Sequence, residues 1–337
     1  MRNLTINLFA EKFIGKANGV TTAFEQITKA LESFPQIKIK KNGKKPYDVL
    51  HSHTIGLHFI WLTLKNKKRT IVSSHVVPDS FIGSLIFSKL WYPIAKLYLR
   101  FVYNRANTVI AVSPLVKQDL QKIGVRAKIE VLCNSVDRDK FKPDKDNYQQ
   151  IRKKHNISLN EKLVLGVGQI QPRKGIEDFI KTAKLLPQIK FIWVGGRPYG
   201  KLTESYKQMS LLIKNKPQNV IFAGIVELEE MPRYYAAADI YFMPSFQENF
   251  AFATIEAAST KLPLVMRDNI EYQSTLYNHY LKANNARDFA SLIKKLTEDK
   301  SFFDIYLKEA DQLAEKYKLS TYTEKLISIY KEVAIQK

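Results

Sequence analysis

The sequence indicates its fold most clearly between residues 236 and 266, which read AAADIYFMPSFQENFAFATIEAASTKLPLVM. The small residues at the start are typical of a helix end, and the apolar run after Asp239 predicts a buried strand that stops at Pro244. Residues 261–266 predict the next strand. With a helix from about Phe250 between them, the segment forms a βαβ unit, from which doubly wound sheets are built.

Two carboxylates, Glu248 and Glu256, lie seven residues apart in this unit. Two helical turns take about 7.2 residues, so a helix from Phe250 would return Glu256 to the side from which Glu248 projects. Glu248 follows a strand, at the edge where open α/β sheets bind ligands. The spacing alone would also suit a solvated helix face. The βαβ context favours a ligand site, in which the backbone amides of residues 249–251 suit hydroxyls or a leaving phosphate.

The rest of the chain repeats this alternation of strands and helices. A length of 337 residues predicts two domains, at 1–150 and 151–337, with a polar linker at 137–160 and a helical end at about 301–336. The first domain is expected to face the acceptor and the membrane and the second to bind the nucleotide sugar, with the C-terminal helices packing back on the first domain. Strands are predicted at 4–9, 47–51, 69–74, 108–112 and 128–132, and then at 162–167, 190–194, 219–222, 240–243 and 263–266. The predicted class is α/β, with two Rossmann-like doubly wound domains and the active cleft between their sheets.

The cysteine content and the first residues indicate a cytoplasmic protein. Cys133 is the single cysteine, which fits a reducing compartment. Residues 1–10 alternate apolar and polar side chains like a strand and lack the continuous apolar run of a signal peptide.

The charge is strongly positive and unevenly distributed. The formal net charge is +21; residues 1–150 hold 25 Lys and Arg against 11 Asp and Glu, and the remainder holds 28 against 21. Such a field attracts polyanions, either nucleic acid or an anionic membrane. A nucleic-acid-binding protein on a similar scaffold is therefore an alternative, although the basic residues form no recognisable nucleic-acid module.

Two basic and apolar segments in the first half favour a membrane. Residues 81–105 are rich in apolar and aromatic side chains and contain no acid, and residues 55–64 are apolar and precede a basic run. Their charges and lengths suit contact with a bilayer surface rather than a span. Buried crossover helices with basic ends are the alternative. The candidate membrane-binding residues are Lys65, Lys67, Lys68, Arg69, Lys89, Trp91, Lys96 and Arg100.

Five local patterns occur in the order found in one enzyme family. They are Asn18-Gly-Val20, His51-Ser-His53, His75 at a strand end, Asn134-Ser-Val-Asp137 with Phe141, and Gly168-Gln-Ile-Gln-Pro-Arg-Lys-Gly175 ahead of the two carboxylates. Together they resemble the retaining glycosyltransferases of family 4, which have the GT-B fold. The resemblance covers nearly the whole chain.

The resemblance implies a role for each matching residue. Lys174 and Arg173 would hold the diphosphate of a UDP-hexose, stabilising the charge that develops on the leaving group. Glu248 and the amides of Asn249, Phe250 and Ala251 would hold the transferred sugar, and Glu256 the ribose hydroxyls. His75 would orient the sugar. Gly19, with Gly15 nearby, would let the backbone approach the phosphates, and Arg197 would line the nucleotide pocket after Gly195-Gly196.

The chain departs from the family pattern at several positions. Gln169 stands where the family usually has Arg, so that Arg173 would substitute for a missing charge. Asn249, Ala251 and Ser135 replace glycines, and the first two would narrow the space near the sugar. Asp137-Arg-Asp139 and Asp144-Lys-Asp146 imitate a metal-binding pattern but fall in the predicted linker. With Lys and Arg at the diphosphate and no His and Cys cluster, we expect no metal and no cofactor.

The basic first half and residues 168–175 look most like bacterial glycosyl-glucosyldiacylglycerol synthases. The resemblance implies retaining transfer of an α-linked glucose or galactose to a membrane glycolipid, monoglucosyl-diacylglycerol, at the cytoplasmic leaflet, without nucleic acid as a partner. A family 4 transferase with a soluble or polymer-bound acceptor, such as a cell-wall, capsule or teichoic-acid glycan, is the alternative.

Overall fold

The computed structural model describes residues 3–11, 19–64, 66–82, 84, 87–197, 200 and 203–335, and only the backbone of Lys67. In chain order, the described strands are β1 (Leu4–Phe9), β2 (Ile37–Lys41), β3 (Val49–Ser52), β4 (Thr70–Ser74), β5 (Thr108–Ala111), β6 (Lys128–Val131), β7 (Leu163–Val167), β8 (Lys190–Val194), β9 (Val220–Gly224), β10 (Ile240–Met243), β11 (Leu264–Arg267) and β12 (Leu281–Ala283).

The described helices follow the same order. They are α1 (Gly19–Glu32), α2 (Leu57–Leu64), α3 (Ser88–Tyr103), α4 (Pro114–Lys122), α5 (Lys145–Lys154), α6 (Ile176–Leu185), α7 (Tyr206–Lys214), α8 (Met231–Ala237), α9 (Phe252–Ser259), α10 (Ile270–Gln273), α11 (Ala286–Glu298), α12 (Lys300–Lys316) and α13 (Leu319–Ile335).

The chain divides into two compact units. The first contains the described residues up to Phe81, in Lys89–Ser135 and from Leu319 onward. The second contains those in Ile82–Ser88 and Val136–Lys318. Each unit has one parallel six-stranded sheet, which confirms the predicted α/β class with two doubly wound sheets.

The first sheet has the strand order β2-β1-β3-β4-β5-β6. Its order reverses between β1 and β3, the kind of place at which open α/β sheets bind ligands. The core on one face joins Ile6 and Leu8 of β1 to Leu31 of α1 and to Leu326 and Tyr330 of α13, all of them buried. The last helix of the chain therefore completes the first unit.

The second sheet has the order β12-β11-β10-β7-β8-β9, which reverses between β10 and β7. Its core is aromatic: the ring of Phe179 on α6 stacks on Phe242 of β10 and meets Trp193 of β8 edge-on, with centroids 5.5 and 5.0 Å apart. Their burial fixes α6 against β8 and β10, and thereby the loops that leave the carboxyl ends of β7 and β10.

The N-terminal part of the first unit ends at Ser135, earlier than the predicted boundary at residue 150. The reason is Arg152 of α5, whose side chain is fully buried in the second unit. Its Nε donates to the carbonyl of Ala237 at 3.0 Å, and its Nη2 pairs with Asp239 at 2.7 Å. Because a buried guanidinium must keep such partners, α5 is bound to the second unit.

Candidate active site

The candidate site begins where β7 and β10 lie side by side in the second sheet. Both strands end at the same edge. The loops after them carry six of the predicted donor-binding residues: Arg173, Lys174, Glu248, Asn249, Phe250 and Ala251. After β7 the chain makes a 3₁₀ turn at Pro172–Lys174, and after β10 it runs through a loop to α9. The reversal of strand order at this point leaves a crevice between the two loops.

Gly175 joins the two loops. It has φ +73°, a left-handed conformation, and a Cβ there would lie 2.2 Å from the carbonyl oxygen of Pro244. On the same side, the amide of Phe246 and the hydroxyl of Ser245 donate to the carbonyl of Arg173 at 2.7 and 3.1 Å. Only glycine permits both the backbone conformation and this approach.

Lys174 and Glu248 form an ion pair across the crevice. The Nζ of Lys174 lies 2.5 Å from Oε1 of Glu248, and the two side chains are 13% and 10% exposed. Burial lowers the pKa of Lys174, the carboxylate of Glu248 raises it, and the nearby Arg173 lowers it further. A cation and a carboxylate, 74 residues apart in sequence, are thus held together at the ligand edge of the sheet.

Arg173 is fixed by contacts on both sides of the crevice. Its Nε donates to Ser84 at 2.6 Å and to Gln171 at 3.1 Å, and its Nη1 donates to the carbonyl of Gln247 at 3.1 Å. Ser84 comes from the short segment of the first half that belongs to the second unit. No sequence pattern indicated this contact, since Ser84 lies inside residues 81–105, the stretch interpreted as contacting a bilayer surface.

Glu256 is buried on α9 and accepts a hydrogen bond from the hydroxyl of Tyr235 on α8 at 2.7 Å. Burial raises the pKa of Glu256 to about 7, although the Tyr235 hydrogen bond and the charge of Lys140 oppose the rise. The helix begins at Phe252, two residues later than predicted, so that Glu248 stays on the loop. Burial raises the pKa of the Tyr241 hydroxyl, and the charges of Glu248 and Glu256 both raise it further.

Four more of the predicted donor residues, Arg197, Asn249, Phe250 and Ala251, lie on loops of the same unit. Arg197 donates from Nη1 to Ser210 at 2.5 Å and covers the ring of Tyr206 at 4.7 Å, so α7 holds it in place. The side-chain oxygen of Asn249 accepts from Gln247 at 3.1 Å. The ring of Phe250 packs on Tyr317 and Phe252, and Ala251 precedes the first turn of α9.

His75 lies in the first unit, after β4, beside two other histidines. Its Nε2 is 3.2 Å from Nδ1 of His53, and the two rings stack. His51 is anchored by the hydroxyls of Tyr330 and Ser73, at 2.7 and 2.9 Å. Burial lowers the pKa of His51 to about 3 and that of His75 to about 4, and burial with the neighbouring histidines lowers the pKa of His53 well below its usual value. The cluster is neutral at pH 7.

The tautomer of His53 follows from its surroundings. Its Nε2 is buried without a hydrogen-bond partner among the described residues. An N–H there would be an unsatisfied donor, which costs more than an unused acceptor lone pair. The favoured arrangement places the proton of His53 on Nδ1, from which it is donated to Nε2 of His75. Tyr330 and His53 thus order the histidine cluster around His75.

The predicted membrane-binding residues lie on or beside α2 and α3. Lys68, Arg69, Lys89, Lys96 and Arg100 are exposed, whereas Trp91 is half-buried and packs on Phe81 at 5.0 Å. On α3, four large apolar side chains are between 52% and 82% exposed and form what we call the α3 apolar face: Leu90, Ile94, Leu97 and Phe101.

Some predictions lie outside the part of the chain that the structure describes. They concern Gly15, Asn18, Lys65 and the side chain of Lys67. Gly19 is described as the exposed first residue of α1. In the predicted linker, Asp137 accepts from the amides of residues 139 and 140, and Asp144 caps α5. Asp137 and Asp144 each bind backbone amides of the turn that follows them.

Comparison with known families matches both halves of the chain. Residues 23–140 match the family described as Glycosyltransferase Family 4, and residues 147–319 match that described as Glycosyl transferases group 1. The second match spans slightly more than half of the chain and contains the Lys174–Glu248 pair.

Two proteins are similar over most of the chain. The alpha-galactosylglucosyldiacylglycerol synthase of Streptococcus pneumoniae is 31% identical over 322 residues, which cover 94% of this chain and 86% of that protein. The processive diacylglycerol alpha-glucosyltransferase of Acholeplasma laidlawii is 30% identical over 287 residues, which cover 84% of this chain and 85% of that protein.

Solved structures share the fold at lower identity. Anabaena HepE in complex with UDP and glucose has a TM-score of 0.77 at 18% identity, covering 96% of this chain and 98% of that one. The sucrose-phosphate synthase of Thermosynechococcus elongatus has a TM-score of 0.81 at 17% identity, covering 98% and 99%. With two doubly wound sheets, family matches in both halves and relatives along nearly its full length, the chain belongs to the GT-B glycosyltransferases of family 4 and is a glycosyltransferase enzyme.

Proposed function

We propose that this glycosyltransferase moves an α-hexose, glucose or galactose, from a UDP-sugar to a membrane glycolipid with retention of configuration. The proposed acceptor is monoglucosyl-diacylglycerol and the product a diglycosyl-diacylglycerol. The names of the two similar proteins support a diacylglycerol glycolipid. The observation that carries the donor side is the nearly buried Lys174–Glu248 pair at the reversal point of the second sheet.

The ion pair suits a donor that becomes more negative as it reacts. Lys174, supported by Arg173, would face the diphosphate, and its charge would stabilise the leaving UDP more strongly than the bound donor. Glu248 would accept hydrogen bonds from the sugar hydroxyls. Before the donor arrives, each charge compensates the other at 2.5 Å, so both side chains are already oriented.

The same pair favours front-face attack over a covalent glycosyl-enzyme. Glu248 is held by Lys174, which lowers its value as a nucleophile. In the proposed step, the bond from the anomeric carbon to the phosphate oxygen breaks, and the acceptor oxygen bonds to that carbon on the same face. The acceptor proton passes to the departing phosphate, which leaves as UDP. His75, kept neutral by burial, would orient the sugar by a hydrogen bond without adding charge.

We expect the reaction to need no metal ion. Among the described residues, no group of three or more His, Cys, Asp or Glu side chains is arranged to hold one. Lys174 and Arg173 would supply the positive charge that a divalent cation supplies elsewhere. Undiminished transfer in excess chelator is the expected result, and activity that is lost in chelator and restored by magnesium would contradict it.

The enzyme is proposed to work on the cytoplasmic face of the membrane as a peripheral protein. No helix in the described part of the chain is long and apolar enough to cross a bilayer. The α3 apolar face, with residues at intervals of four, three and four, presents one stripe of large side chains to solvent. Lys89, Lys96 and Arg100 on the same helix would attract anionic headgroups.

Glu256 makes donor affinity depend on pH. Its pKa of about 7 in the free protein means that it is half-protonated at neutrality. Ribose hydroxyls donate more strongly to an ionised carboxylate than to a carboxylic acid, so we expect binding to release a proton and the affinity to rise as the pH increases through 7. Between pH 6 and 8 we expect about a tenfold gain for UDP-glucose, measured by calorimetry.

UDP-glucose is the ligand of choice because its diphosphate does not titrate in this range. Glu256→Gln should bind more weakly and equally at both pH values. Tyr235→Phe removes a hydrogen bond that lowers the carboxyl pKa, so the pH at which affinity rises should move upward. If the affinity of Glu256→Gln for UDP-glucose depends on pH as in the unmodified enzyme, Glu256 is not the group that titrates.

The proposed function is tested by supplying acceptor and donor together. Vesicles that contain monoglucosyl-diacylglycerol and anionic lipid are incubated with UDP-glucose or UDP-galactose, and the lipid extract is assayed for a second hexose. We expect product from one or both donors and none from Glu248→Ala. If the unmodified enzyme releases UDP without forming a lipid product, and Glu248→Ala releases none, the proposed acceptor is wrong and the proposed donor site is supported.

A further inference from the structure

Arg267, the last residue of β11, is a charged side chain in the interior of the second unit. β11 pairs in parallel with β10, so Arg267 lies at the edge of the sheet from which the loop to α9 leaves. The residue is only 6% exposed. Because a guanidinium withdrawn from water needs a counter-charge and hydrogen-bond acceptors, the partners of Arg267 indicate its role.

The guanidinium of Arg267 joins three segments of the chain. Its Nε donates to the carbonyl of Pro244 after β10 at 3.0 Å, and its Nη1 donates to the carbonyl of Asn284 after β12 at 2.7 Å. Its Nη2 pairs with Asp178, in the first turn of α6. A planar guanidinium can serve all three partners at once because its N–H groups point in fixed, divergent directions, whereas a lysine has a single nitrogen.

The loop after β10 is held at three successive residues. In addition to the bond to Pro244, the Arg267 guanidinium lies 3.8 Å from the centroid of the Phe246 ring, a cation–π contact. Between them, the carbonyl of Ser245 accepts from Nδ2 of Asn269 at 2.5 Å. Side chains from β11 and from the residues just after it therefore fix the start of the loop that carries Glu248.

Arg267 also fixes the loop after β7. The hydrogen bonds to the carbonyl of Arg173, described above, come from residues 245 and 246 of the clamped loop. The ion pair with Asp178 holds the first turn of α6, which directly follows the β7 loop. One guanidinium thus sets the distance between the two loops, and with it the distance between Lys174 and Glu248.

We propose that Arg267 is a positioning residue for donor binding, and we call its contacts with the two loops the Arg267 clamp. The clamp holds Lys174 where the diphosphate lies and Glu248 where the hexose lies. The inference rests on the proposed UDP-hexose donor. Arg267 acts through these two side chains, so its substitution should weaken binding of the diphosphate and hexose but not of the nucleoside.

Arg267→Lys tests the clamp without changing the charge beside Asp178. Its single nitrogen cannot span the three partners of the guanidinium. The ligand is the UDP-hexose that the unmodified enzyme binds more tightly, UDP-glucose or UDP-galactose, and we expect its Kd, measured by calorimetry, to rise about tenfold. The Kd for uridine, measured by NMR titration, should not change. Arg287→Lys, the same substitution at an exposed position on α11, should leave both affinities unchanged.

Three outcomes would count against the clamp, and they are distinguishable from one another. If Arg267→Lys binds the UDP-hexose as tightly as the unmodified enzyme does, the clamp is wrong and the proposed function stands. If its affinities for the UDP-hexose and for uridine fall equally, the substitution damages the unit as a whole and Arg267 does not position the loops. If the unmodified enzyme binds neither UDP-hexose, the proposed donor is wrong and the clamp is wrong with it.

Asp178→Asn tests the clamp without a change at Arg267 itself. The asparagine keeps the size of the side chain and an acceptor oxygen, so folding is expected, but it removes the counter-charge of Arg267. By charge alone, the loss of a carboxylate near the β7 loop would strengthen binding of an anionic donor. The clamp predicts the opposite, about fivefold weaker binding of the UDP-hexose. Unchanged or tighter binding would overturn the proposal.

Discussion

Lys174→Ala is expected to lower kcat/KM for UDP-glucose by about a thousandfold, the loss typical when a group that stabilises a developing anion is removed. The ammonium is the buried cation that meets Glu248 at the ligand edge of the second sheet. Its removal deprives the leaving diphosphate of charge and also leaves a carboxylate in the crevice that repels the donor. Transfer and UDP release, measured across donor concentrations, give kcat and KM separately.

Two further variants test whether the loss of activity is specific to the removal of the Lys174 charge. Lys184→Ala removes an exposed lysine from α6 in the same unit and should leave both constants within about twofold, as expected for a surface change. Lys174→Ala/Glu248→Gln removes the unpaired carboxylate and should recover folding but little activity. If the folded Lys174→Ala variant loses less than tenfold in kcat/KM, Lys174 does not have the proposed role.

Gly175→Ala is expected to have the largest structural effect near the site. The added Cβ would lie 2.2 Å from the carbonyl oxygen of Pro244, at a backbone φ of +73°. The left-handed conformation costs an alanine about 1–2 kcal/mol, and the clash adds about 1–3 kcal/mol. The loops after β7 and β10 must separate, which moves Lys174 away from Glu248, so we expect donor binding to be lost with stability.

Gly224 supplies the matched control for this substitution. It has φ +77°, but nothing lies within 4 Å of its Cβ position. Gly224→Ala therefore carries the conformational cost without the clash, about 1–2 kcal/mol, and should keep its affinity for UDP-glucose. Urea unfolding and calorimetry measure both quantities. If Gly175→Ala and Gly224→Ala lose equal amounts of stability and of affinity for UDP-glucose, the contact with Pro244 does not hold the loops together.

Local patterns were sufficient to predict ten of the twelve described strands. β1, β8 and β10 have the predicted bounds, because their apolar runs are sharply limited by polar or turn residues. β2 and β12 were not predicted. The sequence of β2, Ile37–Lys41, carries three lysines, and β12 has only three residues. Both are edge strands, which pair with a neighbour on one side only. They therefore lack the continuous apolar run that is typical of a buried strand.

The partners of the site residues were not predictable in the same way. The spacing of Glu248 and Glu256 pointed to one ligand edge, but it could not show that Lys174 would pair with Glu248 or that Tyr235 would bind Glu256. These contacts join segments 74 and 21 residues apart. They follow from strand order and helix packing, which local periodicity does not encode.

The membrane face illustrates the same limit. The composition of residues 81–105 favoured Trp91 as an anchor, yet its ring packs on Phe81. The exposed stripe is formed by the α3 apolar face instead. A helix presents only part of its circumference to solvent, and which part is decided by the neighbours on which it packs.

The structure of the lipid product tests most directly whether the enzyme adds a second hexose to the glycolipid with retention of configuration. The enzyme is given UDP-glucose or UDP-galactose and vesicles of monoglucosyl-diacylglycerol, and the extracted glycolipid is analysed by NMR at its new anomeric centre. We expect a second hexose on the lipid in the α configuration, which is the configuration of the donor. A β-linked product would contradict retention, and a lipid without a second hexose would contradict the proposed acceptor.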